Sequence, residues 1–413
     1  MRVSTVTMYE QSTASINRQQ NDFLKIGQQI ASGRRVVNPS DDPQAASRAV
    51  GVDQSKAITQ QYEDARVSAR NSLAQTESIL NSISDAVTSA KTLLIQASSD
   101  TLSDVDRESI ASELKGVYET MIGQANATDG NGRYIFGGYK DNAPPFVKSA
   151  TGSIEYNGDV NARSQRVDSS RLMPVTENGA TIFQGVPSGA GYIANADVAN
   201  QGSVTFSGPQ VTSVNDPNYG ESFRVLFDDD GAGNSTYTVE QFDGAAWQPV
   251  AGLEDQAYDP AGEQISFGGV SLTLKGASQV GDEILVARPG SDQLPADLFR
   301  TMEAAIRVLE TPAENDTQKA ALRNTLNTSM RELDNSLDNV LTVRASAGAR
   351  LNELDVIDAV GNNRMLNYEQ TLSDLVDLDY ADAISEYSLR QVGLQAAQKA
   401  FVDIKGMSLF DFM

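Results

Sequence analysis

Residues 30–50 read IASGRRVVNPSDDPQAASRAV, and this stretch contains the end of one helix and the start of another. Gly33 stands where a residue in the left-handed conformation would end the first helix. Asp42 can accept hydrogen bonds from free backbone N–H groups as the N-cap of the second helix, and Pro43 suits its first position. The stretch therefore predicts two helices joined by a short arm.

The helix before this arm has a thin apolar stripe. Residues spaced by three and four lie on one helix face, and here they are Tyr9, Ser12, Ile16, Gln19, Phe23, Ile26 and Ile30. The remaining faces are rich in uncharged Gln and Asn. Because isolated helices are marginal in water, we expect this helix to be stable only against a partner.

The helix after the arm is predicted to be about 55 residues and about 80 Å long. Its stripe comprises Ile58, Tyr62, Ala65, Ala69, Leu73, Thr76, Leu80, Ile83, Val87, Ala90, Leu94 and Ala97. A third helix is predicted after Ser103, because Ser103 and Asp106 have the spacing of a capping box. The first ~130 residues thus have the periodicity of coiled coils.

The C-terminal part of the chain has the same character. Thr311-Pro312-Ala313-Glu314 combines an N-cap, a proline at the first helical position and the acidic residue of a capping box. A long apolar stripe follows. The last stripe comprises Tyr380, Ile384, Tyr387, Leu394, Ala397, Phe401 and Ile404. We therefore expect long helices at both ends of the chain.

The middle of the chain has the pattern of strands and turns. Asn157-Gly158, Asp243-Gly244 and Gly268-Gly269 separate segments such as STYTVEQF and VSLTL, which is typical of hairpins. The predicted fold is mainly α with a β-rich insert. The terminal helices pair in a coiled-coil or long helical bundle, and the insert forms one antiparallel β domain or two small antiparallel lobes.

The composition excludes several functions. With no Cys and no His, the chain lacks thiolate nucleophiles, imidazole bases, the usual zinc ligands and disulfides. A net charge of −23 disfavours binding to nucleic acid. The N-terminus has no apolar segment typical of a cleaved signal peptide, and no stretch approaches the ~18–20 apolar residues of a membrane span. We expect no cofactor and no membrane insertion.

Two short motifs suggest chemistry without supporting it. Residues 228–234, DDDGAGN, resemble a calcium loop, but Ala232 and Val239 stand at two ligand positions of that template, so a hairpin turn is favoured. Ser112 and Lys115 have the SxxK spacing of serine–lysine acyl enzymes, without the companion motifs. A serine–lysine hydrolase is therefore only a distant alternative.

Three segments carry a resemblance to a known family. Residues 30–50 resemble the signature of the bacterial flagellin family, in which Gly33, Arg34, Asn38, Asp41, Asp42 and Pro43 form the arm. The run RYIFGGY at residues 133–139 and the ending SLFDF at residues 408–412 are similar to the branch of hook–filament junction proteins. The resemblance covers residues ~1–140 and ~290–413.

The resemblance implies a domain organisation. Residues 1–40 and 375–413 would form an inner domain of paired terminal helices. Residues 41–135 and 292–374 would form a helical bundle, and 136–291 an outer variable β domain. The assembly interface of the terminal helices would comprise Ile16, Phe23, Ile30, Ile384, Tyr387, Leu394, Phe401 and Ile404.

The resemblance also implies a function and partners. Such proteins are structural, and export through the flagellar type III apparatus carries them out of the cell without a cleaved signal. A cytosolic export chaperone would bind the chain beforehand. The chain would form a homo-oligomeric ring of about 11 subunits between hook-associated protein 1 and the flagellin filament. The alternative within the family is flagellin, the bulk filament subunit.

Overall fold

The computed structural model describes residues 5–150 and 152–406 of the chain. Seven helices lie in these residues: α1 Thr5–Ser32, α2 Pro43–Ala97, α3 Asp104–Ala125, α4 Gly179–Phe183, α5 Leu298–Glu310, α6 Asp316–Val376 and α7 Tyr380–Gly406. All strands fall between α3 and α5. The predicted fold class, long helices at both ends around an antiparallel β insert, is confirmed.

The chain divides into two compact units. The terminal unit comprises the chain up to Ala65 and from Asp355, and the central unit is Arg66–Leu354. The helices α2 and α6 contribute residues to both units, because the divisions fall within them.

The central unit contains a helical core. The predicted stripe of α2 is buried from Ala69 to Ala97, and its apolar residues from Leu80 onward lie in this core. Ile58, earlier on the same stripe, is 43% exposed. Leu114 and Met121 of α3 and Leu326 and Leu333 of α6 complete this core. The apolar periodicity therefore located the buried face of the helices correctly within the central unit.

The first part of the insert belongs to this helical core. Phe146 and Phe183 lie in the same cluster as Phe299 of α5, with ring centroids 5.0 Å apart for Phe146–Phe183 and 5.4 Å for Phe183–Phe299. Two short hairpins accompany them: β1 Phe146–Lys148 with β2 Ile154–Tyr156, and β3 Ser164–Asp168 with β4 Arg171–Pro174. The range 136–291, expected to be the outer domain, therefore contains residues of two separate cores.

The second part of the insert, residues 192–287, has its own core and is called the β module. Its strands are β5 Ile193–Ala196, β6 Thr205–Val211, β7 Phe223–Asp229, β8 Ser235–Phe242, β9 Trp247–Pro249, β10 Gln256–Ala257, β11 Glu263–Phe267, β12 Val270–Lys275 and β13 Glu283–Ala287. One sheet has the order β10-β8-β7-β13-β5, with β9 also paired to β8, and the other has the order β11-β12-β6. All pairs are antiparallel.

Most of the predicted turns and caps are correct. The Asp243-Gly244 pair joins β8 to β9, Gly268-Gly269 joins β11 to β12, and DDDGAGN joins β7 to β8. The α2 helix begins at Pro43, and Asp42 caps it: the Asp42 Oδ1 atom accepts a hydrogen bond from the Ala45 N–H at 3.0 Å. Ser103 and Asp106 form the predicted capping box.

Two local predictions are wrong. The strand before Asn157-Gly158 pairs with the preceding strand, Phe146–Lys148, and not with the strand that follows the Asn-Gly pair. Thr311 caps the C-terminus of α5 instead of starting α6. The start of α6 is capped four residues later, where Asn315 Oδ1 accepts from the Gln318 N–H at 2.8 Å and Gln318 Oε1 accepts from the Asn315 N–H at 3.2 Å.

Candidate assembly interface: the terminal helix pair

The helices α1 and α7 of the terminal unit pack against each other in antiparallel fashion. Tyr9 near the start of α1 contacts Phe401 near the end of α7, with ring centroids 5.2 Å apart. Phe23 contacts Tyr387 at 4.6 Å. Arg390 donates to Asp22 at 3.1 Å, which places an ion pair between these aromatic contacts.

The pair is close but thinly covered. A Cβ atom built on Gly393 would lie 3.6 Å from Gln19 Oε1, and one built on Gly27 would lie 3.9 Å from the Tyr387 ring, so each position of one helix lies within van der Waals reach of the other helix. Ile26 and Ala383 are buried, with 6% exposure each. Because few side chains are fully buried, the pair alone gains little hydrophobic stabilisation.

The arm between α1 and α2 is held by backbone bonds to the end of α6. Gly33 has φ +69, the left-handed conformation predicted for it. The Leu378 N–H donates to Gly33 O at 3.0 Å, and the Arg35 N–H donates to Val376 O at 2.8 Å. Arg34 and Asp377 form an isolated antiparallel bridge. The arm therefore fixes the start of α2 beside the segment that joins α6 to α7.

Two carboxylates of the signature stabilise the arm. Asp41 Oδ2 accepts from the Asn38 N–H at 2.9 Å, which lowers the pKa of Asp41, and Lys25 lies 3.0 Å from the other oxygen. The pKa of Asp42 is lowered first by the Ala45 N–H and then by Arg35. These aspartates are turn and cap residues, so the signature at this position encodes backbone geometry.

The predicted interface residues fall into three groups. Ile16, Phe23, Ile30, Tyr387, Leu394 and Phe401 are half-buried, as expected for residues of a paired face. Ile384 is 54% exposed and lies about a quarter-turn away from the face that packs on α1, so its place in an interface between copies stays a prediction. The side chain of Ile404 and the whole SLFDF ending lie outside the described residues.

The helix α7 has a second apolar face, which was not predicted from the sequence. Leu389 is 72% and Val392 is 65% exposed, and the exposed Ala396 and Ala400 continue the same stripe at spacings of four. This outer face lies opposite the face that packs on α1, since Leu394 and Leu389 are separated by five residues, or about 140°. An alternating count of three and four around Leu389 would have revealed it.

The two residues of the candidate catalytic motif lie on the surface of α3. Ser112 and Lys115 are both exposed on α3, and Lys115 forms an ion pair with Glu310 of α5. Within residues 5–150 and 152–406, no cluster of three or more acidic side chains could hold a metal ion. None of the helices in the described part of the chain is long and apolar enough to cross a membrane.

Comparison with known proteins identifies the family. Residues 3–141 match the family model for the bacterial flagellin N-terminal helical region. The chain is 33% identical over 411 residues to flagellar hook-associated protein 3 of Salmonella typhimurium, which is 99% of each chain, and the match to the Escherichia coli protein has the same identity and coverage. The chain belongs to the flagellar hook-associated protein 3 family.

Solved structures of hook-associated protein 3 have the same fold. The Legionella pneumophila protein is 26% identical with a TM-score of 0.68, covering 78% of this chain and 98% of its own. FlgL of Xanthomonas campestris is 29% identical with a TM-score of 0.64, covering 78% and 99%. The chain is a structural component of the bacterial flagellum and not an enzyme, and the relatives favour this role over that of flagellin.

Proposed function

We propose that the chain is the adaptor ring of the hook–filament junction, with hook-associated protein 1 on one side and flagellin on the other. A Legionella pneumophila relative is described as the flagellar junction protein. Copies of this chain would close into a ring, as homo-oligomers with cyclic symmetry do. The terminal unit would supply the contacts between copies.

The observation that carries this proposal is the pair of apolar faces on α7. One face packs on α1, and the outer face with Leu389 and Val392 has no cover within the described chain. A helix that is apolar on two sides is typical of a buried helix. A neighbouring copy of the terminal unit would bury the outer face, and burying both side chains would stabilise each contact by roughly 3–6 kcal/mol.

Substitution of the outer face tests the proposal. We expect Leu389→Gln with Val392→Gln to abolish ring formation and filament attachment, while circular dichroism of the monomer stays unchanged. The control carries Val198→Gln and Val214→Gln, which alter the β module at sites of 97% and 63% exposure. Filaments of normal number and length on cells with the α7 variant, exported at the normal level, would refute the role of this face.

Export requires a state in which α7 is still unassembled. We infer that a cytosolic chaperone binds α7 as an amphipathic helix in a groove, before the flagellar type III apparatus exports the chain. The half-buried face of Leu394 and Phe401 would be the face bound, which makes chaperone binding and pairing with α1 mutually exclusive. The support for this inference is that α1 covers this face only partly.

Two double variants distinguish the faces of α7 in chaperone binding. Leu394→Ala with Phe401→Ala should weaken the affinity for the chaperone by two or more decades, since it removes roughly 3–6 kcal/mol of burial. Leu389→Ala with Val392→Ala should leave this affinity nearly unchanged. If calorimetry showed a larger loss of chaperone affinity for the Leu389 and Val392 variant, the chaperone would bind the outer face. Chaperone binding and pairing with α1 would then be compatible.

A further inference from the structure

One face of α6 forms hydrogen bonds to the main chain of the β module. The side chains involved lie on α6 between Thr317 and Arg331. Thr317 Oγ1 donates to Gln201 O at 2.8 Å, and Thr328 Oγ1 donates to Ala194 O at 2.7 Å. All the bonds described here end on backbone atoms, so this face binds the module through its main chain.

Asn324 replaces a neighbouring peptide group at the edge of a sheet. Its Nδ2 atom donates to Val204 O at 2.8 Å, and its Oδ1 atom accepts from the Phe206 N–H at 3.2 Å. Asn327 then donates to Phe206 O at 3.2 Å. An amide side chain has the donor and acceptor of a peptide unit. Asn324 and Asn327 can therefore form the hydrogen bonds with the edge strand that a neighbouring strand would form.

The strand at this edge is β6, which pairs with β12 on its other side only. In an antiparallel pair, successive residues direct their backbone groups to opposite sides. Phe206 directs its N–H and C=O to α6, and these groups would otherwise be unpaired. Asn324 is 4% and Thr328 is 5% exposed, so water does not compete for these bonds.

We propose that α6 is a docking rail that fixes the β module to the helical core by its backbone, independently of the side chains of the module. The rail consists of Thr317, Asn324, Asn327, Thr328 and Arg331, the last of which donates to Pro209 O at 3.3 Å. Two consequences follow. The module has one orientation on the helical core, and its exposed sequence is free to change without loss of attachment.

Spin-label distances within the full-length chain test the first consequence. The chain has no native Cys, so labels on Asp338→Cys in α6 and Ala232→Cys in the β7–β8 turn report one distance within the central unit. We expect a narrow distribution in the otherwise unaltered chain and a broad one after Asn324→Leu with Thr328→Val. Hydrogen exchange of the Phe206 amide should become at least about tenfold faster in that variant.

Two further variants separate backbone binding from side-chain packing and from misfolding. Thr205→Val with Ser207→Ala alters the side chains of β6 and should change neither readout. Asn324→Asp, when ionised, retains the acceptor for the Phe206 N–H but loses the donor to Val204 O, so its distance distribution should have an intermediate width. This single variant replaces Asn324→Leu with Thr328→Val if that double variant fails to fold. Protection of the Val225 and Val239 amides shows that the module itself remains folded.

The proposal is overturned by either of two results. One is a broad distance distribution in the chain with an intact rail, which would show that the module moves freely. The other is an unchanged width and an unchanged Phe206 exchange rate in both Asn324 variants, which would show that other contacts hold the module.

Discussion

At the scale of single residues, Glu332 is a buried carboxyl group, and its protonation state depends on the hydrogen bonds around it. Thr301 Oγ1 lies 2.9 Å from Asp297 O and 2.6 Å from Glu332 Oε2. A hydroxyl has one proton, so it can donate to only one of these oxygens. Both contacts are satisfied as hydrogen bonds when Glu332 is protonated and donates to Thr301.

Burial raises the pKa of Glu332 above its ordinary value of 4.5, and the nearby Asp297 adds to the rise. A hydrogen bond that Thr301 donates to the ionised carboxylate and the charge of Arg300 oppose this rise without cancelling it. A carboxyl with a raised folded pKa favours the folded state when protonated, so its contribution is complete at low pH and is lost as the pH rises through the folded pKa. Glu332→Gln should remove this loss, because its amide can also donate to Thr301.

We therefore expect Glu332→Gln to raise Tm more at pH 8 than at pH 4. Thermal unfolding of both proteins across this range measures the effect, with Glu108→Gln on the exposed face of α3 as the control. A Tm difference between variant and parent that is constant with pH would contradict a raised pKa at Glu332.

Gly33 permits a second residue-scale prediction. In Gly33→Ala, the left-handed φ of +69 costs roughly 1–2 kcal/mol, and the new Cβ would lie 2.9 Å from Tyr380 Oη. Exchange of the Leu378 amide, which donates to Gly33 O, should accelerate. Gly51→Ala is the matched control. It adds a methyl within α2, where a Cβ meets nothing within 4 Å, and it should stabilise by about 0.5–1 kcal/mol.

At the scale of elements, the α1–α7 pair is expected to be the first part of an isolated monomer to open. Its buried apolar contacts are few, and local opening is easiest where they are few. Limited proteolysis of dilute monomer should remove roughly the first 40 and last 40 residues and leave a resistant fragment. Full-length resistance at the same protease concentration would show that the pair is stable without neighbours.

Local signals predicted the helices well because their causes are local. Asp42 with Pro43, Ser103 with Asp106 and the left-handed Gly33 are determined by nearby backbone groups, and all three are observed. The outer face of α7 was missed because apolar residues on two sides of a helix weaken the periodic signal. The error at Asn157-Gly158 arose because β2 forms its hairpin with β1, which precedes it, so the hairpin turn lies before β2 and not at this Asn-Gly pair.

At the scale of the whole molecule, a deletion of the β module must spare every residue of the insert that packs in the helical core. Phe146 and Phe183 pack in the helical core, although sequence alone placed them in the outer domain. That assignment needed a long-range contact with α5. A Cβ atom on Gly290 would lie 3.0 Å from Val186 Cγ2, so the chain enters and leaves the β module at neighbouring points.

These positions define a deletion with a matched counterpart. Joining Val186 directly to Gly290 should remove the β module and leave a folded chain that supports filament growth. Joining Gly137 to Gly290 also removes Phe146 and Phe183, and loss of each buried Phe side chain costs about 3–5 kcal/mol, so this variant should unfold at a lower temperature. Filament counts and thermal unfolding measure both. Loss of filaments with the shorter deletion, despite normal folding and export, would show that the β module is required for assembly.

The proposed single ring at the hook–filament junction, formed through the terminal helices, predicts both the number and the position of the copies on each flagellum. Both are measured by counting and locating the labelled chain on isolated flagella. We expect one cluster at the hook end of each filament, with the copy number of a single closed ring, and no cluster in the Leu389→Gln with Val392→Gln variant. Label distributed along the filament in large numbers would identify a bulk filament subunit and contradict the account.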